Sequence, residues 1–214
     1  MNNSVENFER ELTETCQKFG RVRSEISLVA VTKTRSAAEI NSLLKAGISA
    51  IGENRLQEFL AKKDEISAAE KHFVGRIQSN KAAEIAREFN VVESVSSLKV
   101  AEILNSESAK IRKNLPIFLQ INLARESQKD GFSPDEIESA IAEIARFENL
   151  KITGLMTIGV FGDESRTREI FTRARKLVDK FGLAKLSAGM SGDWKIAVKE
   201  GATELRIGRR LFEN

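Results

Sequence analysis

Short apolar runs alternate with longer amphipathic stretches from about residue 27 to the end of the chain. Eight runs are rich in β-branched residues and are bounded by polar or glycine-containing segments, as is typical of buried strands. They span residues 27–34, 48–54, 72–77, 90–95, 116–123, 151–160, 183–191 and 202–211. The pattern predicts a β-α-β-α repeat that contains eight strands.

Seven stretches with apolar residues at helical spacing lie between these runs, at residues 37–46, 56–69, 81–89, 98–113, 135–147, 165–181 and 194–199. Several begin beside residues that suit a helix start, namely Ser36, Ser79, Ser97 and Ser133. Strands that are joined by helices run parallel, and eight apolar parallel strands favour an α/β fold, a closed (β/α)8 TIM barrel. A doubly wound open sheet is the alternative.

A helix predicted at residues 4–18 precedes the first strand, and we expect it to cover the place of an eighth outer helix. The hydrophobic content of 41% can fill one large core, so we expect residues 1–214 to form a single domain. No apolar run approaches the roughly 20 residues of a membrane span. We therefore expect a cytoplasmic protein that does not bind membranes.

Charged residues are interspersed along the chain, with 34 basic and 31 acidic side chains and a formal charge of +3. The densest basic stretch, 166–176, is interrupted by Glu169 and reads as a solvated helix face, so we expect no nucleic-acid binding. One histidine, His72, and one cysteine, Cys16, leave little room for a zinc site, and no metal is expected. We interpret both residues as structural.

In a (β/α)8 barrel the residues at the carboxyl ends of the strands form the functional face. Lys33 and Asn54 end the first two predicted strands, and Lys33 shares one side of its strand with Val29 and Val31. Apolar surroundings would lower the pKa of Lys33 and make its amine a nucleophile toward an aldehyde. The segment alone favours the alternative, a lysine that extends from the strand end into solvent.

Arg206 points into the predicted barrel if Leu205 and Ile207 face the outer helices. A buried guanidinium needs a partner, which could be Glu204, another internal carboxylate or a ligand. Ser191 opens a helix and Gly208 with Arg209 follows the last strand, in the loops where many barrels bind phosphate. Either stretch could also serve only as a helix cap.

Six segments together resemble the pyridoxal-phosphate homeostasis family, also known as the YggS/PROSC family of alanine racemase-like barrels. They are AVTKT at 30–34, IGENRLQE at 51–58, HFVGRIQSNK at 72–81, GLMTI at 154–158, GMSGD at 189–193 and RIG at 206–208. The resemblance covers nearly the whole chain, and the segment at 72–81 is the most specific. It implies a barrel like the N-terminal domain of alanine racemase, with pyridoxal 5′-phosphate (PLP) as the cofactor.

By this resemblance, Lys33 forms the Schiff base with PLP, Asn54 lies beside the cofactor ring, and Arg206 faces the pyridine nitrogen. The phosphate is then held by Ser191, Gly208 and the backbone of Arg209. The sequence departs from the family at Arg209, where a small hydroxyl residue is common, which removes one side-chain hydrogen bond. It also has Lys71 where the family usually has an aromatic residue.

The resemblance implies PLP homeostasis, in which the protein stores the cofactor on Lys33 and supplies it to apo forms of PLP-dependent enzymes. Alanine racemase uses a tyrosine opposite its lysine, and this chain contains no tyrosine. An arginine at the ring nitrogen also leaves the cofactor a poor electron sink. We therefore expect a monomeric carrier with no catalytic residues.

Two enzymatic alternatives remain open at this point. One is a PLP-dependent racemase or related enzyme in which His72, Lys129, Asp130 or water replaces the tyrosine. The other is a barrel aldolase that uses Lys33 directly on a carbonyl substrate, without a cofactor.

Overall fold

The eight predicted strands all form, and the computed structural model, which describes residues 3–124 and 130–213, arranges them as one closed parallel barrel. The strands are β1 Ser27–Val31, β2 Ala50–Glu53, β3 Glu70–Phe73, β4 Val91–Val95, β5 Leu115–Gln120, β6 Leu150–Met156, β7 Lys185–Ser187 and β8 Glu204–Ile207. Pairing of β1 with β8 closes the ring and sets Val29 opposite Arg206. The predicted (β/α)8 barrel is confirmed, and the open-sheet alternative is wrong.

Helices surround the barrel within the part of the chain that the structure describes. They are α1 Asn3–Lys18, α2 Ala37–Lys45, α3 Leu56–Leu60, α4 Ala82–Glu88, α5 Leu98–Lys110, α6 Ile137–Ile144, α7 Glu164–Lys180 and α8 Trp194–Lys199. Ser36 caps α2 in a reciprocal arrangement with Glu39, and Ser97 caps α5. Ser79 begins a 3-10 turn that runs directly into α4, and Ser133 lies four residues before α6, where its backbone N–H donates to the Glu136 carboxylate.

Helix α1 packs beside α8 and a short 3-10 turn at Arg209–Leu211, which agrees with its predicted place in the outer ring. The Phe8 and Trp194 rings are 5.0 Å apart between centroids, and both side chains are buried. Arg21, just after α1, donates to the backbone carbonyls of Val198 and Ala202. None of the helices in the described ranges is long and apolar enough to cross a membrane.

Several predicted elements are too long. Strand β1 ends at Val31 and β7 at Ser187, so Lys33 and Ser191 lie in the loops that follow rather than in strands. Helix α3 ends at Leu60, and residues of the predicted 56–69 helix form a 3-10 turn at Lys63–Glu65 instead. After β7, Ala188 and Met190 continue the apolar run, so the hydrophobic pattern does not mark where that strand ends.

Two environments lie on either side of the barrel wall. The space between strands and helices is apolar, and it contains Phe59, Phe73 and Phe89, whose ring centroids are 4.7 and 5.1 Å apart. Among the described residues, the buried charged side chains come from four strands and are Glu53, His72, Glu93, Glu204 and Arg206. The polar chemistry of this protein therefore lies on the buried face of the strands and at the loops after them.

Candidate functional site

The residues predicted to hold the cofactor come from four neighbouring strands, in the barrel order β7, β8, β1 and β2. Each lies in or just after the carboxyl end of its strand: Ser191 after β7, Arg206 in β8, Gly208 and Arg209 after β8, Lys33 after β1 and Asn54 after β2. A Cβ placed on Gly208 would lie 3.5 Å from the Val31 carbonyl oxygen, so the loop after β8 reaches the end of β1. The fold thus brings all six residues to one end of the barrel.

Lys33 lies in a turn two residues after β1, where its side chain is exposed. Its amine therefore meets solvent rather than the apolar surroundings that the sequence suggested. The next residue, Thr34, has a φ of 62°, a left-handed conformation that is rare for a β-branched residue. The Lys33 side chain is therefore exposed, whereas the backbone of the turn that carries it is held in an unusual conformation.

Asn54 is half-buried, and its side-chain oxygen Oδ1 is buried without a hydrogen-bond partner among the described residues. A buried acceptor without a donor is costly, so this atom suits a ligand that brings a donor. Gly75 allows the loop after β3 to approach, because a Cβ there would lie 2.1 Å from the Asn54 carbonyl oxygen. Asn54 is therefore a packed residue with one unused polar atom.

Arg206 is 4% exposed, and its guanidinium is held by one group in β7 and one just after the end of β6. It donates to the Ser187 hydroxyl at 2.5 Å and to the Thr157 carbonyl at 2.9 Å. The nearest carboxylate oxygen is Oε2 of Glu93, at 3.8 Å. The predicted partners of Arg206 were Glu204, another internal carboxylate or a ligand. In the structure the partner is another internal carboxylate, that of Glu93.

Glu93 links Arg206 to His72 inside the barrel. Its Oε1 lies 2.7 Å from His72 Nδ1, and its Oε2 accepts from the Ser187 hydroxyl at 2.5 Å. Burial alone would raise the pKa of Glu93, but the hydrogen bond from His72 and the charges of His72 and Arg206 lower it overall. Glu93 is therefore ionised, and its negative charge stabilises both His72 and Arg206.

His72 is a charged residue in the barrel interior. Burial opposes its protonation, yet the carboxylates of Glu70 and Glu93 outweigh burial and raise the pKa of His72 to about 9. Oε1 of Glu204 lies 3.8 Å from the same ring nitrogen, Nδ1, and Oε2 of Glu204 pairs with Lys185 at 3.0 Å. The structural interpretation of His72 holds, with an ion pair in place of simple core packing.

Three of these side chains, His72, Glu93 and Glu204, place ligand-type atoms within 4.8 Å of one another. The arrangement does not suit a metal ion, because a protonated imidazole has no free lone pair. Arg206 and Lys185 also lie beside the two carboxylates, and each supplies a positive charge. We interpret this group as an internal salt-bridge network.

The loops after β7 and β8 carry backbone N–H groups near helix starts. Ser191 is half-buried and comes three residues before α8, and Arg209 begins the final 3-10 turn. The first N–H groups of such turns have no acceptor within the turn and favour anions. The Arg209 side chain is exposed, so its backbone is the part that can contribute here.

Sequence reasoning missed the residues that support the predicted site. Glu93 lies in the middle of the buried run VVESV, and an acidic residue in such a run is a signal that could have been used. Lys62 and Glu53 form a second buried pair at 2.7 Å, close to the Lys33 turn. Of the two loop residues named as racemase candidates, Asp130 pairs with Arg76 and Lys129 lies outside the described residues.

Comparison with known proteins agrees with this architecture. Residues 10–213 match the family model "Alanine racemase, N-terminal domain". A pyridoxal phosphate homeostasis protein of Pseudomonas aeruginosa is 37% identical over 206 residues, which are 94% of this chain and 90% of that protein. An alanine racemase of Clostridium difficile is 14% identical with a TM-score of 0.72, and the match covers 96% of this chain and 56% of that one, so it shows the fold alone.

The structure of PipY from Synechococcus elongatus with PLP bound has a TM-score of 0.83 and 31% identity, and the match covers 94% of this chain and all of that one. The family model and the identity over most of both chains agree with the resemblance seen in the sequence. The chain belongs to the pyridoxal phosphate homeostasis proteins, within the family of alanine racemase N-terminal domains.

Proposed function

We propose that this chain binds PLP covalently through Lys33, keeps it in reserve and supplies it to other enzymes, without strong catalysis of its own. The observation that carries this proposal is the convergence of Lys33, Asn54, Arg206 and Gly208 on adjacent strand ends. Two comparisons support the proposal. A relative whose structure contains PLP matches 94% of the chain, and curated relatives are named for PLP homeostasis. We propose that residues 1–214 act as one domain, as a monomer and in the cytoplasm.

The residues present fit the cofactor. When bound, PLP supplies an aldehyde that reacts with an amine, and Lys33 provides an exposed amine at the barrel mouth. The unpartnered Oδ1 of Asn54 can take a donor beside the ring, and Arg206 can face the ring nitrogen. Ser191 and the backbone of Gly208 and Arg209 suit the phosphate.

The polar interior supports a carrier rather than a racemase. Arg206 carries a permanent charge, which Glu93 balances, so it can donate a hydrogen bond but cannot accept a proton. His72 is 3% exposed and bonded to Glu93, which prevents it from acting as a second base at the barrel mouth. A two-base reaction needs two positioned groups. The described residues offer Lys33 and no clear second group.

An absorption spectrum of the purified protein with and without added PLP tests the proposal, followed by borohydride reduction and mapping of the modified residue. We expect a new absorption band, modification of Lys33, and loss of both in Lys33→Ala. Lys45→Ala is the matched control, because Lys45 is an exposed lysine at the end of α2. Modification of many lysines at similar levels would contradict a defined site.

Transfer to an apo form of a PLP-dependent enzyme tests the carrier role. We expect the loaded protein to restore activity to the apo-enzyme, and Lys33→Ala protein to restore none after removal of free PLP. Amino-acid racemisation well above that of free PLP would favour the racemase alternative. A carbonyl-cleaving activity that needs Lys33 but no PLP would favour the aldolase.

A further inference from the structure

The turn that carries Lys33 holds a strained backbone. Thr34 adopts a φ of 62°, and a β-branched residue occupies this region only when the surrounding structure holds it there. The turn contains one internal backbone bond, from the Arg35 N–H to the Thr32 carbonyl. Contacts from outside the turn therefore stabilise the conformation, and the one made by Thr34 itself, from its N–H to Oε2 of Glu58, is long at 3.4 Å and exposed.

Lys62 bonds to both ends of this turn. Its Nζ donates to the carbonyl of Thr32 at 3.1 Å and to the carbonyl of Arg35 at 3.0 Å. These two residues flank Lys33 and Thr34, so a single ammonium ties both ends of the turn. The Lys62 side chain is only 13% exposed, which limits competition from water.

Glu53 holds the ammonium in place. Its Oε1 lies 2.7 Å from Lys62 Nζ and also accepts from the Thr32 hydroxyl at 2.6 Å. Glu53 is fully buried and is the last residue of β2, directly before Asn54. The same ion pair thus connects the Lys33 turn to the strand end that carries the proposed ring contact.

A buried ion pair adds little net stability compared with an apolar pair of similar volume. A gain in stability therefore does not explain why this ion pair is present. Its contacts with the turn do, because they fix the turn's geometry. We propose that Glu53 and Lys62 are positioning residues that hold the Lys33 turn in the conformation that captures PLP. This inference rests on the proposed function of Lys33.

The test compares Lys62→Met with Lys63→Met. Methionine keeps the length of the side chain and removes the ammonium, and Lys63 pairs with Glu88 instead of the turn. We expect Lys62→Met to bind PLP roughly tenfold or more weakly in an absorbance titration, as for loss of a bond to a charged group. Hydrogen exchange of the backbone amides at 33–36 should quicken only in Lys62→Met.

Loss of Lys62 leaves Glu53 buried without its counter-charge, so a second variant guards against unfolding. Glu53→Gln combined with Lys62→Met removes both charges and should show the same weak binding with a native circular dichroism spectrum. Adding Thr34→Asn should restore tighter binding, because asparagine accepts the left-handed region more readily than threonine.

The outcomes separate the two proposals. If the wild-type protein and Lys63→Met take up no PLP on Lys33, the proposed function itself fails. If both bind PLP and the folded double variant binds it with wild-type affinity and unchanged exchange at 33–36, the positioning role is wrong. Failure of Thr34→Asn to improve binding in the double variant would also overturn it.

Discussion

We expect the folded barrel to lose stability as the pH rises from about 6.5 to about 9, through the proton on His72. Burial opposes this proton, but Glu70 and Glu93 outweigh burial and raise the pKa of His72 from 6.5 to about 9. The folded protein therefore holds the proton more tightly than the unfolded chain does. This contribution to the free energy of unfolding is complete below pH 6.5 and is lost as the pH rises through 9.

The size of the effect follows from the two pKa values. A pKa difference of one unit is worth about 1.4 kcal/mol, so the proton on His72 contributes about 3 kcal/mol at most. The side chain is 3% exposed, and solvent screening reduces this figure little. Burial and the charge of Glu93 also raise the pKa of Glu204 to about 7, from 4.5, which adds a separate loss of stability between those two values.

Urea unfolding at several pH values between about 6 and about 9.5 measures this effect, with wild-type protein and His72→Gln compared at each pH. Glutamine can still bond to Glu93 but does not titrate. The wild-type free energy of unfolding should fall across the window, whereas that of His72→Gln should fall less steeply between pH 7 and 9. It need not be flat, because the charge of His72 lowers the pKa of Glu204 and its loss moves the Glu204 titration to higher pH. Cys16 contributes little below pH 9, because the thiol keeps its proton in the unfolded chain up to the ordinary value of 9.0 and burial raises the pKa further in the folded protein.

Two results would refute the reasoning. One is a wild-type free energy of unfolding that stays constant between pH 6.5 and 9. The other is a His72→Gln variant with the same slope as wild type over that range. Either would show that His72 is not protonated through its contact with Glu93.

Four further substitutions test other contacts by urea unfolding. Arg206→Gln leaves Glu93 buried without its nearest guanidinium and should cost about 3–5 kcal/mol; wild-type stability would show that the pair is dispensable. Gly154→Ala should cost about 1–3 kcal/mol or more, because its Cβ would lie 2.0 Å from a backbone oxygen of β7. Gly192→Ala, which has no atom within 4 Å of the added carbon, should be nearly neutral, and equal losses in both would contradict the steric reason. Phe8→Ala should cost about 3–5 kcal/mol, because the ring packs on the α8 indole; a loss below about 1 kcal/mol would mean that α1 is not held by this contact.

The hydrophobic pattern was sufficient to predict the eight-stranded barrel. It also predicted that the candidate polar residues lie at the carboxyl ends of the strands. Val29 and Ile51 are the kind of β-branched residues that mark buried parallel strands. Once eight such strands form a closed barrel, Lys33 and Asn54 must lie at its carboxyl face. The proximity of the candidate residues therefore followed from strand order, without any knowledge of side-chain contacts.

Contacts between distant segments could not be predicted in this way. The 56–69 segment has a helical pattern, yet the backbone leaves the helix near Lys62, whose ammonium is bound to carbonyls of the Lys33 turn. Arg206 lies two residues from Glu204 on one strand, but Lys185 occupies that carboxylate and Glu93 comes from the far side of the barrel. Such pairings depend on how neighbouring strands are aligned and on how far each side chain extends. The periodicity of the sequence carries no information on either.

The pairing of β1 with β8 has a consequence for the order in which the molecule folds. These strands are far apart in sequence, so the entropy of closing so large a loop makes their contact slow to form. Lys33 and Arg206 come from the two sides of this seam, which means that the proposed cofactor pocket exists only after the ring has closed. A ligand held across the seam would bind the closed ring and not the open chain, and would stabilise the seam by mass action. Opening of the ring would then be the step of unfolding that responds most strongly to PLP.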